Sequence, residues 1–558
     1  MAKKTVIIGG VAGGATTATR LRRKDETMEI IMLERGEYIS YANCGLPYYI
    51  GDVIKSRNAL LVQTVEAMRS RYRIDVRVGN EVIELLPKEQ KIKVKELKTG
   101  KIYEESYDNL VLATGSSPVK PPIPGIDSDN IFTLWTVPDT DSIRGFIEKH
   151  QAKRAVVIGG GFIGLEMAEN LHRAGLQVSI VEMQDQVMTT LDLEMAKVLH
   201  KTLKKNGVDL ILSDGVKEFH QENGKTSIEL ASGRRVEADL VILSIGVKPN
   251  SELAKQAGLS LNQRGGIVVD SYLKTSDEHI YAVGDVIEVD HFVSKDKTMI
   301  PLAGPANKQA RILADNLTGT PTMYKGTLGT SVVKVFDLDV ASVGLNEKQL
   351  KAMGKEKNKD YETALIVQKS HAGYYPGATS LLLKMIFTKE GKILGGQMIG
   401  KDGVDKRMDT LATVIRLGGT VFDLTELELA YAPPFSSAKD PINMLGYVAE
   451  NMLNGFVSFM EWDELENMMK EEREDLIILD VTEDHERKEF SVAGSLHIPF
   501  GQIRERMGEL DKDKIIAIYC AIGVRAYNVA RILSQNGFKH PKVLSGGVTF
   551  YKAMDREE

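Results

Sequence analysis

Apolar runs that end in glycine clusters occur twice in the first half of the chain. In KTVIIGGVAGGATTATRLRR, a run from Val6 to Ile8 precedes four glycines and a helical stretch, and a second apolar run, EIIMLE, follows. The same order recurs in RAVVIGGGFIGLEMAENLHRAGLQVSIVE. Short apolar runs bounded by glycines are typical of buried parallel strands. The pattern therefore predicts two strand–helix–strand units, each with a glycine turn before its helix.

Both glycine turns carry the spacing that binds a dinucleotide. The first turn follows G-x-G-x-x-G at Gly9, Val11 and Gly14, except that Val11 replaces the second glycine. The second turn is complete, with its glycines at Gly159, Gly161 and Gly164. Glycine lets the backbone approach a pyrophosphate, whose charge the helix N-terminus stabilises. One such turn alone also fits a plain strand–helix connection, but the repetition favours two dinucleotide sites.

An acidic residue closes the second strand of each unit. Glu34 follows the first glycine turn, and Glu182 follows the second. A carboxylate at this position accepts a hydrogen bond from a ribose hydroxyl and repels a 2′-phosphate. The two units predict two dinucleotides, FAD in the first and NADH, in preference to NADPH, in the second.

Two later segments complete a family pattern. YDNLVLATGSSP is a buried strand that runs into Thr114 and Gly115, and TSDEHIYAVGDV ends at Gly284 and Asp285. With these four motifs in this order, residues 1 to about 450 resemble the FAD- and NAD(P)H-dependent pyridine nucleotide–disulfide oxidoreductases. The resemblance implies that Asp285 bonds the ribityl chain of FAD. Arg35 is assigned to the same cofactor site.

Cys44 stands alone in SYANCGLPYY, since the only other cysteine in the chain is Cys520. A single thiol can be oxidised to a sulfenic acid, as in a peroxidase. It can instead form a mixed disulfide with a small thiol, which then acts as the missing partner. A buried structural cysteine is the third interpretation. SYANCGLPYY resembles the active-site segment of coenzyme A-disulfide reductases, in which one cysteine alternates between a thiolate and a mixed disulfide with coenzyme A.

That resemblance implies a set of residues around the nucleophile Cys44. Ser40 and Asn43 are expected near the pantetheine arm. Thr16, Arg20 and Arg23 fall at i, i+4 and i+7 of the first predicted helix, and guanidinium groups suit the phosphates of coenzyme A. A solvated basic helix end explains the same pattern. A further phosphate contact is assigned to Arg71 of MRSRYRIDVR, where Arg69 and Arg73 are the alternatives.

Residues 326–450 predict alternating strands followed by a helix, where the family has its dimerisation domain. In the resembled subfamily this domain places a lysine and tyrosines over the cysteine of the partner in a homodimer. YAPPFSSAKDP matches that segment and implies roles for Tyr431 and Lys439. HAGYYPGA offers Tyr374 or Tyr375, of which Tyr375 is preferred. A phenol near a thiolate can protonate the leaving coenzyme A thiol, although packing also explains these tyrosines.

The residues after about 455 predict a small, separate α/β domain. KIIAIYCAIGVRAYNVARIL is a strand, a loop and a helix, with Cys520 at the end of the strand and Arg525 where the helix begins. Backbone N–H groups, the helix dipole and the arginine favour a thiolate or a persulfide anion there. The segment resembles a single-domain rhodanese, a sulfur transferase, although Thr482 stands where many rhodaneses have arginine.

The predicted architecture is α/β: two Rossmann-like nucleotide-binding domains for FAD and NADH, an α+β dimerisation domain and a C-terminal rhodanese domain. The predicted domain bounds are 1–115 with 250–325 for FAD, 116–249 for NADH, 326–450 for dimerisation and 451–558 for the rhodanese domain with its linker.

A net charge of -6 gives no indication of nucleic-acid binding. No membrane span and no metal site are predicted. Two cysteines favour a reducing compartment, here the cytoplasm.

The whole chain resembles a coenzyme A-disulfide reductase fused to a rhodanese. The implied activity is NADH-driven, FAD-dependent reduction of coenzyme A persulfide, polysulfide or coenzyme A disulfide. Small thiols and persulfides are the expected substrates, and Cys520 would carry sulfane sulfur. Two alternatives stay open: an NADH oxidase or peroxidase that uses a sulfenic acid at Cys44, and a non-enzymatic flavin redox sensor or sulfur carrier.

Overall fold

The first glycine turn follows the central strand of a parallel sheet. In the computed structural model, which describes residues 3–222 and 224–556, Lys4–Ile8 pairs with Glu29–Glu34 on one side and with Asn109–Leu112 on the other. The sheet is completed at its two edges by Asp75–Val78 and Ile280–Ala282. Helix Ala12–Lys24 connects the first two strands, as the sequence predicts.

A second parallel sheet repeats this arrangement around the second glycine turn. Its strand order is Asp209–Ile211, Gln177–Val181, Arg154–Ile158, Leu240–Leu243 and Ile131–Phe132. Helix Phe162–Arg173 connects Arg154–Ile158 to Gln177–Val181. The two sheets confirm the predicted pair of Rossmann-like folds, because each places a helix N-terminus at the carboxyl end of its central strand.

The chain divides into two units. The first holds the residues up to Val187 together with Gly207–Gly329, and the second holds Met188–Asn206 and the residues from Thr330 onward. Helix Leu193–Lys205 therefore packs in the second unit, although the predicted NADH-binding domain spans its residues. Polar contacts explain this packing, because Oδ2 of Asp192 accepts a hydrogen bond of 2.7 Å from the side chain of Gln397.

The second unit contains an antiparallel sheet and a parallel sheet. The antiparallel order is Ser331–Val335, Leu338–Gly344, Ile393–Gly400, Ser380–Phe387 and Glu362–Lys369. The parallel order is Ser458–Met460, His540–Leu544, Ile515–Tyr519, Leu476–Asp480 and Leu496–His497. These sheets confirm the predicted α+β domain and the α/β domain that follows it.

The other elements flank these four sheets. The remaining helices are Leu46–Ile50, Val65–Tyr72, Val137–His150, Glu252–Gln256, Ala303–Leu317, Glu347–Ala352, Val404–Leu417, Val421–Glu426, Pro441–Leu453, Trp462–Lys470, Asp484–Glu489, Ile503–Arg506, Val524–Gln535 and Gly547–Ala553. The remaining strands are Asn80–Leu86, Lys91–Glu96, Ile102–Ser106, Ser116–Pro118, Val216–Glu222, Lys225–Leu230, Arg235–Ala238, Val247–Pro249, Val289–Asp290 and Lys297–Thr298. Within the described part of the chain, every helix falls short of the length and apolar character that a membrane span requires.

A fully buried lysine lies in the core of the second unit. The ammonium group of Lys384 contacts Asp192 at 2.7 Å, Glu347 at 2.5 Å and Glu194. Burial lowers the pKa of Lys384, but the three carboxylates outweigh it and raise that pKa well above the ordinary value. The cation at the centre of this acidic cluster is therefore the lysine itself.

Candidate active site

Cys44 lies in a 3₁₀ turn, Asn43–Gly45, that leads directly into helix Leu46–Ile50. Pro47 suits the first turn of this helix, where a missing N–H group has no cost. The side chain of Asn43 donates a hydrogen bond of 3.0 Å to the carbonyl oxygen of Trp135, which anchors the turn. Ser40 precedes it with a φ of +45°, a conformation uncommon outside glycine. The segment is thus held in a specific, partly strained shape.

The thiol of Cys44 is exposed and lies near two carboxyl groups. Desolvation by the surrounding protein raises the pKa of Cys44 even though the residue reaches solvent, and the charges of Glu166 and Asp285 raise it further. Asp285 is itself held by a hydrogen bond of 2.9 Å from the hydroxyl of Ser116. These negative charges oppose formation of the Cys44 thiolate. A stable thiolate therefore needs other groups next to the sulfur that favour its negative charge.

Sequence reasoning missed Glu166 and its partner Tyr48. The hydroxyl of Tyr48 donates a hydrogen bond of 3.1 Å to Oε1 of Glu166. Burial raises the pKa of Glu166 to about 7, the charge of Glu169 adds to this, and the hydrogen bond from Tyr48 opposes it. A signal was available, because Glu166 stands two residues after Gly164 and Tyr48 stands four residues after Cys44.

The first glycine turn is suited to hold FAD. A Cβ atom added at Gly14 would lie 1.8 Å from the carbonyl oxygen of Gly9, so only glycine permits this approach of helix and strand. The carboxylate of Glu34 accepts hydrogen bonds from the backbone N–H groups of Gly10, at 2.9 Å, and Gly36, at 2.7 Å. These bonds fix the carboxylate at the strand end, where it retains lone pairs for a ribose.

The other residues assigned to FAD lie at the same end of the first sheet or in the segments that continue from its strands. Val11 immediately precedes helix Ala12–Lys24, and Arg35 is exposed after Glu34. Thr114 and Gly115 follow strand Asn109–Leu112, and Gly284 follows strand Ile280–Ala282, each with its glycine at positive φ. The topology thus brings the assigned residues Val11, Glu34, Arg35, Thr114, Gly115, Gly284 and Asp285 to one sheet edge. Their individual roles toward FAD stay predictions.

The second glycine turn has room for NADH. A Cβ atom added at Gly161 would meet nothing within 4 Å, so the chain leaves space in front of helix Phe162–Arg173. At Gly164 the added atom would lie 2.0 Å from the carbonyl oxygen of Gly159, so the close packing of helix and strand requires glycine at this position. Oε2 of Glu182 accepts a hydrogen bond of 2.7 Å from the N–H of Gly160, which orients the carboxylate.

Three of the residues assigned to coenzyme A have partners within the first unit, namely Thr16, Arg20 and Arg23. Thr16 donates a hydrogen bond of 2.6 Å to Asn307, and Arg20 binds Asp315 at 2.8 and 3.0 Å. Both therefore face helix Ala303–Leu317, while the guanidinium of Arg23 lies 5.5 Å from the centre of the Tyr72 ring. Arg71 is exposed at the end of helix Val65–Tyr72. Their predicted role in substrate binding stays a prediction.

Two tyrosines meet in the second unit. The hydroxyls of Tyr374 and Tyr431 lie 2.8 Å apart, and the side chain of Tyr374 is 76% exposed. Tyr375 instead packs edge-on against the ring of His371. The structure therefore brings Tyr374 to Tyr431, whereas the sequence preferred Tyr375, and the choice between them as the reacting residue stays a prediction. Lys439 is exposed, one residue before the buried Asp440 that caps helix Pro441–Leu453.

Cys520 ends strand Ile515–Tyr519 and is buried below a tight loop. Its sulfur accepts a hydrogen bond of 3.2 Å from the backbone N–H of Gly523, which precedes helix Val524–Gln535. Arg525 lies in the first turn of this helix and donates hydrogen bonds to both carboxylate oxygens of Glu486, at 2.6 and 2.7 Å. The hydroxyl of Thr482 donates a hydrogen bond of 2.5 Å to the buried Asp480.

Three family models match successive parts of the chain. The pyridine nucleotide-disulphide oxidoreductase model matches residues 3–310, and the dimerisation domain of the same family matches residues 330–441. The rhodanese-like domain matches residues 461–554. Both cysteines therefore lie inside matched regions.

Relatives extend this match over nearly the whole chain. A coenzyme A disulfide reductase of Staphylococcus epidermidis is 38% identical over 449 residues, which are 80% of this chain and 100% of the relative. The crystal structure of reduced Bacillus anthracis CoADR-RHD is 50% identical, with a TM-score of 0.95 over 99% of this chain and 98% of the other. A NAD-dependent persulfide reductase from A. fulgidus is 38% identical, with a TM-score of 0.92 over 98% of this chain and 100% of the other.

Family membership agrees with the geometry of the two glycine turns. Proteins of this family use FAD and NADH, and the turns at Gly14 and Gly161 fit these two cofactors. The match also identifies the chain as an enzyme. This chain belongs to the pyridine nucleotide–disulphide oxidoreductase family and carries a rhodanese-like domain behind its dimerisation domain.

Proposed function

We propose that this protein reduces coenzyme A persulfide, polysulfide or coenzyme A disulfide with electrons from NADH, through a mixed disulfide on Cys44. The observation that carries the proposal is the exposed single thiol of Cys44, beside Asp285 and in a chain with only one other cysteine. The relatives named as coenzyme A disulfide reductase and persulfide reductase support the same chemistry.

The reaction needs one nucleophilic sulfur. FAD, when bound, supplies the electron pair that it takes from NADH. The Cys44 thiolate attacks the substrate sulfur that is bonded to coenzyme A, which forms Cys44–S–S–CoA. The leaving group is coenzyme A thiolate from the disulfide, or hydrosulfide from the persulfide. Cleavage of the mixed disulfide by the electron pair then restores the Cys44 thiolate and releases coenzyme A.

The tyrosines and Lys439 complete the proposal. In a homodimer, Tyr431 and a tyrosine of the 374–375 pair protonate the thiolate that leaves Cys44 of the partner subunit. The short contact between Tyr374 and Tyr431 supports this role, because each hydroxyl orients the other. Lys439 binds a phosphate of the substrate. The dimerisation-domain match supports a homodimer, and the presence of only two cysteines supports a cytoplasmic location.

Cys520 carries sulfane sulfur in the same proposal. Its hydrogen bond from the N–H of Gly523 and its place before the N-terminus of a twelve-residue helix favour an anionic sulfur. The match to the rhodanese-like domain supports sulfur transfer there. A persulfide formed on Cys520 would deliver its outer sulfur to a thiol acceptor.

Two serine variants test the separate roles of the cysteines. Cys44→Ser is expected to abolish NADH-driven reduction of coenzyme A persulfide while FAD remains bound. Cys520→Ser, its matched control, is expected to keep NADH-driven reduction of coenzyme A disulfide. Full turnover by Cys44→Ser would overturn the mechanism.

Mass spectrometry of the purified protein separates this function from an oxidase or peroxidase. A coenzyme A adduct on Cys44 is expected, whereas a single added oxygen would indicate the sulfenic acid chemistry. Comparison of kcat/KM for coenzyme A disulfide, coenzyme A persulfide and oxygen on one preparation then ranks the acceptors. Oxygen as the best acceptor would refute the proposal.

A further inference from the structure

The cation of the Cys520 loop is already paired. In the loop of residues 520–525, Arg525 is the single basic residue, and its guanidinium binds Glu486 through two hydrogen bonds of 2.6 and 2.7 Å. A second carboxylate, that of Glu483, lies 3.8 Å from the same guanidinium. The hydrogen bonds from Arg525 lower the pKa of Glu486 to about 2, so this carboxylate is ionised at neutral pH. The positive charge of Arg525 is therefore shared by two carboxylates, and it also acts on the Cys520 sulfur.

A second guanidinium, on the helix that carries Glu486, is also paired. Arg487 of helix Asp484–Glu489 binds Oδ2 of Asp480 at 2.8 Å, and Asp480 is fully buried. The positive charge of each arginine is offset by the carboxylate that it binds, Glu486 for Arg525 and Asp480 for Arg487. An incoming dianion consequently finds no uncompensated guanidinium in these two ion pairs.

The loop itself has an apolar surface. Ile522 and Val524 are 39% and 46% exposed, and they lie between Cys520 and Arg525 in the chain. The loop is rigidly supported, because the N–H groups of Val548 and Thr549 bind the carbonyl oxygens of Cys520 and Ala521 at 3.0 and 2.9 Å. A rigid apolar rim favours an aliphatic group over a hydrated inorganic anion.

We propose that the Arg525–Glu486 ion pair makes Cys520 selective for an organic persulfide, with an uncharged aliphatic arm next to its sulfur, over thiosulfate. The inference rests on the proposed role of Cys520 as a carrier of sulfane sulfur. The Cys520 thiolate attacks the outer sulfur of R–S–SH, which forms Cys520–S–SH as the R–S bond to that sulfur breaks and R–S⁻ leaves. Thiosulfate would have to bring two negative charges to the same sulfur.

The test compares thiosulfate with pantetheine persulfide, whose arm carries no charge, as donors to the full-length protein. Loading of Cys520 is followed by mass spectrometry as the gain of one sulfur atom. Wild-type protein is expected to load from the persulfide with a rate constant at least about tenfold above that for thiosulfate. Glu486→Gln frees the charge of Arg525 and is expected to raise loading from thiosulfate about tenfold, with loading from the persulfide nearly unchanged.

Glu509→Gln is the matched control, since Glu509 forms the same kind of pair with Arg506 at 2.7 and 3.0 Å, outside the Cys520 loop. It is expected to leave both donors unchanged. Glu486→Gln is expected to fold, because the glutamine side chain keeps an oxygen that accepts the capping hydrogen bond from the N–H of Glu483 at the start of helix Asp484–Glu489. Salt gives a second measurement on wild-type protein, because screening of net negative charge accelerates an anionic donor.

The outcomes separate the inference from the function on which it rests. Equal loading from both donors, or a thiosulfate rate that falls as KCl is added, overturns the selectivity and leaves Cys520 as a sulfur carrier. An unchanged donor ratio in Glu486→Gln also overturns the selectivity. Absence of loading from either donor overturns the sulfur role of Cys520, and the inference with it.

Discussion

The hydroxyl of Tyr48 donates a hydrogen bond of 3.1 Å to Glu166, a residue 118 positions away in the sequence. Tyr48 belongs to the short helix that follows Cys44, and Glu166 belongs to the helix that follows the second glycine turn. The contact thus joins the thiol segment to the NADH-binding fold within the first unit. It also places a carboxyl group with a pKa of about 7 where its charge acts on the thiol of Cys44.

Removal of the Glu166 charge is expected to make Cys44 more reactive. The charge of Glu166 raises the pKa of the Cys44 thiol, so Glu166→Gln lowers that pKa and increases the thiolate fraction at pH 7.5. The rate of alkylation of Cys44 by iodoacetamide is expected to rise severalfold in the variant. The control is Glu148→Gln, an exposed residue of helix Val137–His150, which should leave the rate unchanged. A slower reaction in Glu166→Gln would contradict the electrostatic coupling.

The same variant is expected to change how stability depends on pH. The pKa of Glu166 is raised in the folded protein from an ordinary value of 4.5 to about 7, so its neutral form is favoured. The stabilising contribution is therefore complete below pH 4.5 and is lost as the pH rises through 7. Relative to pH 5, wild-type protein should lose about 2–3 kcal/mol more than Glu166→Gln by pH 8.5. Urea unfolding at both pH values measures this difference, and parallel losses in the two proteins would refute it.

Glu182 is expected to select against NADPH. Its carboxylate is oriented by the N–H of Gly160 at 2.7 Å and by the N–H of Gln184 at 2.8 Å. Glu182→Ala removes the charge that repels a 2′-phosphate, so the ratio of kcat/KM for NADH to that for NADPH should fall about tenfold. Glu237→Ala removes an exposed carboxylate of the same unit and serves as the control. Steady-state kinetics with both nucleotides measure this ratio. An unchanged ratio in Glu182→Ala would show that another residue sets the preference for NADH over NADPH.

Lys384 is expected to stabilise the second unit strongly. Lys384→Met removes the one cation that contacts all three carboxylates of Asp192, Glu194 and Glu347, and leaves only Lys357, 3.9 Å from Glu347. Removal of one partner from a buried ion pair costs about 3–5 kcal/mol of unfolding free energy. Lys401→Met, which removes an exposed lysine paired with Asp337 at 2.6 Å, should change the free energy by less than about 1 kcal/mol. Thermal and urea unfolding test both variants, and similar stability of the two would contradict the assigned role.

The four sheets and the positions of both cysteines follow from patterns within short stretches of sequence. The apolar runs around Gly9 and Gly159 predict parallel strands because neighbouring residues alone determine whether a segment is apolar throughout. The positions of Glu34 and Glu182 are predictable because each lies one helix and one strand after its glycine turn. Cys44 and Cys520 are recognisable because their motifs are continuous in the chain. These features need no knowledge of which distant segments meet.

Only the tertiary structure decided the partners of these residues. Asp315 pairs with Arg20 across 295 positions, and Glu486 pairs with Arg525 across 39. The prediction from sequence preferred Tyr375 to Tyr374 without any contact on which to decide, because adjacent residues share one motif and differ only in the direction of their side chains. The structure turns Tyr374 to Tyr431 and Tyr375 to His371. Short-range patterns encode the elements, whereas contacts between elements depend on packing that brings remote side chains together, and the chemistry around both thiols depends on those contacts.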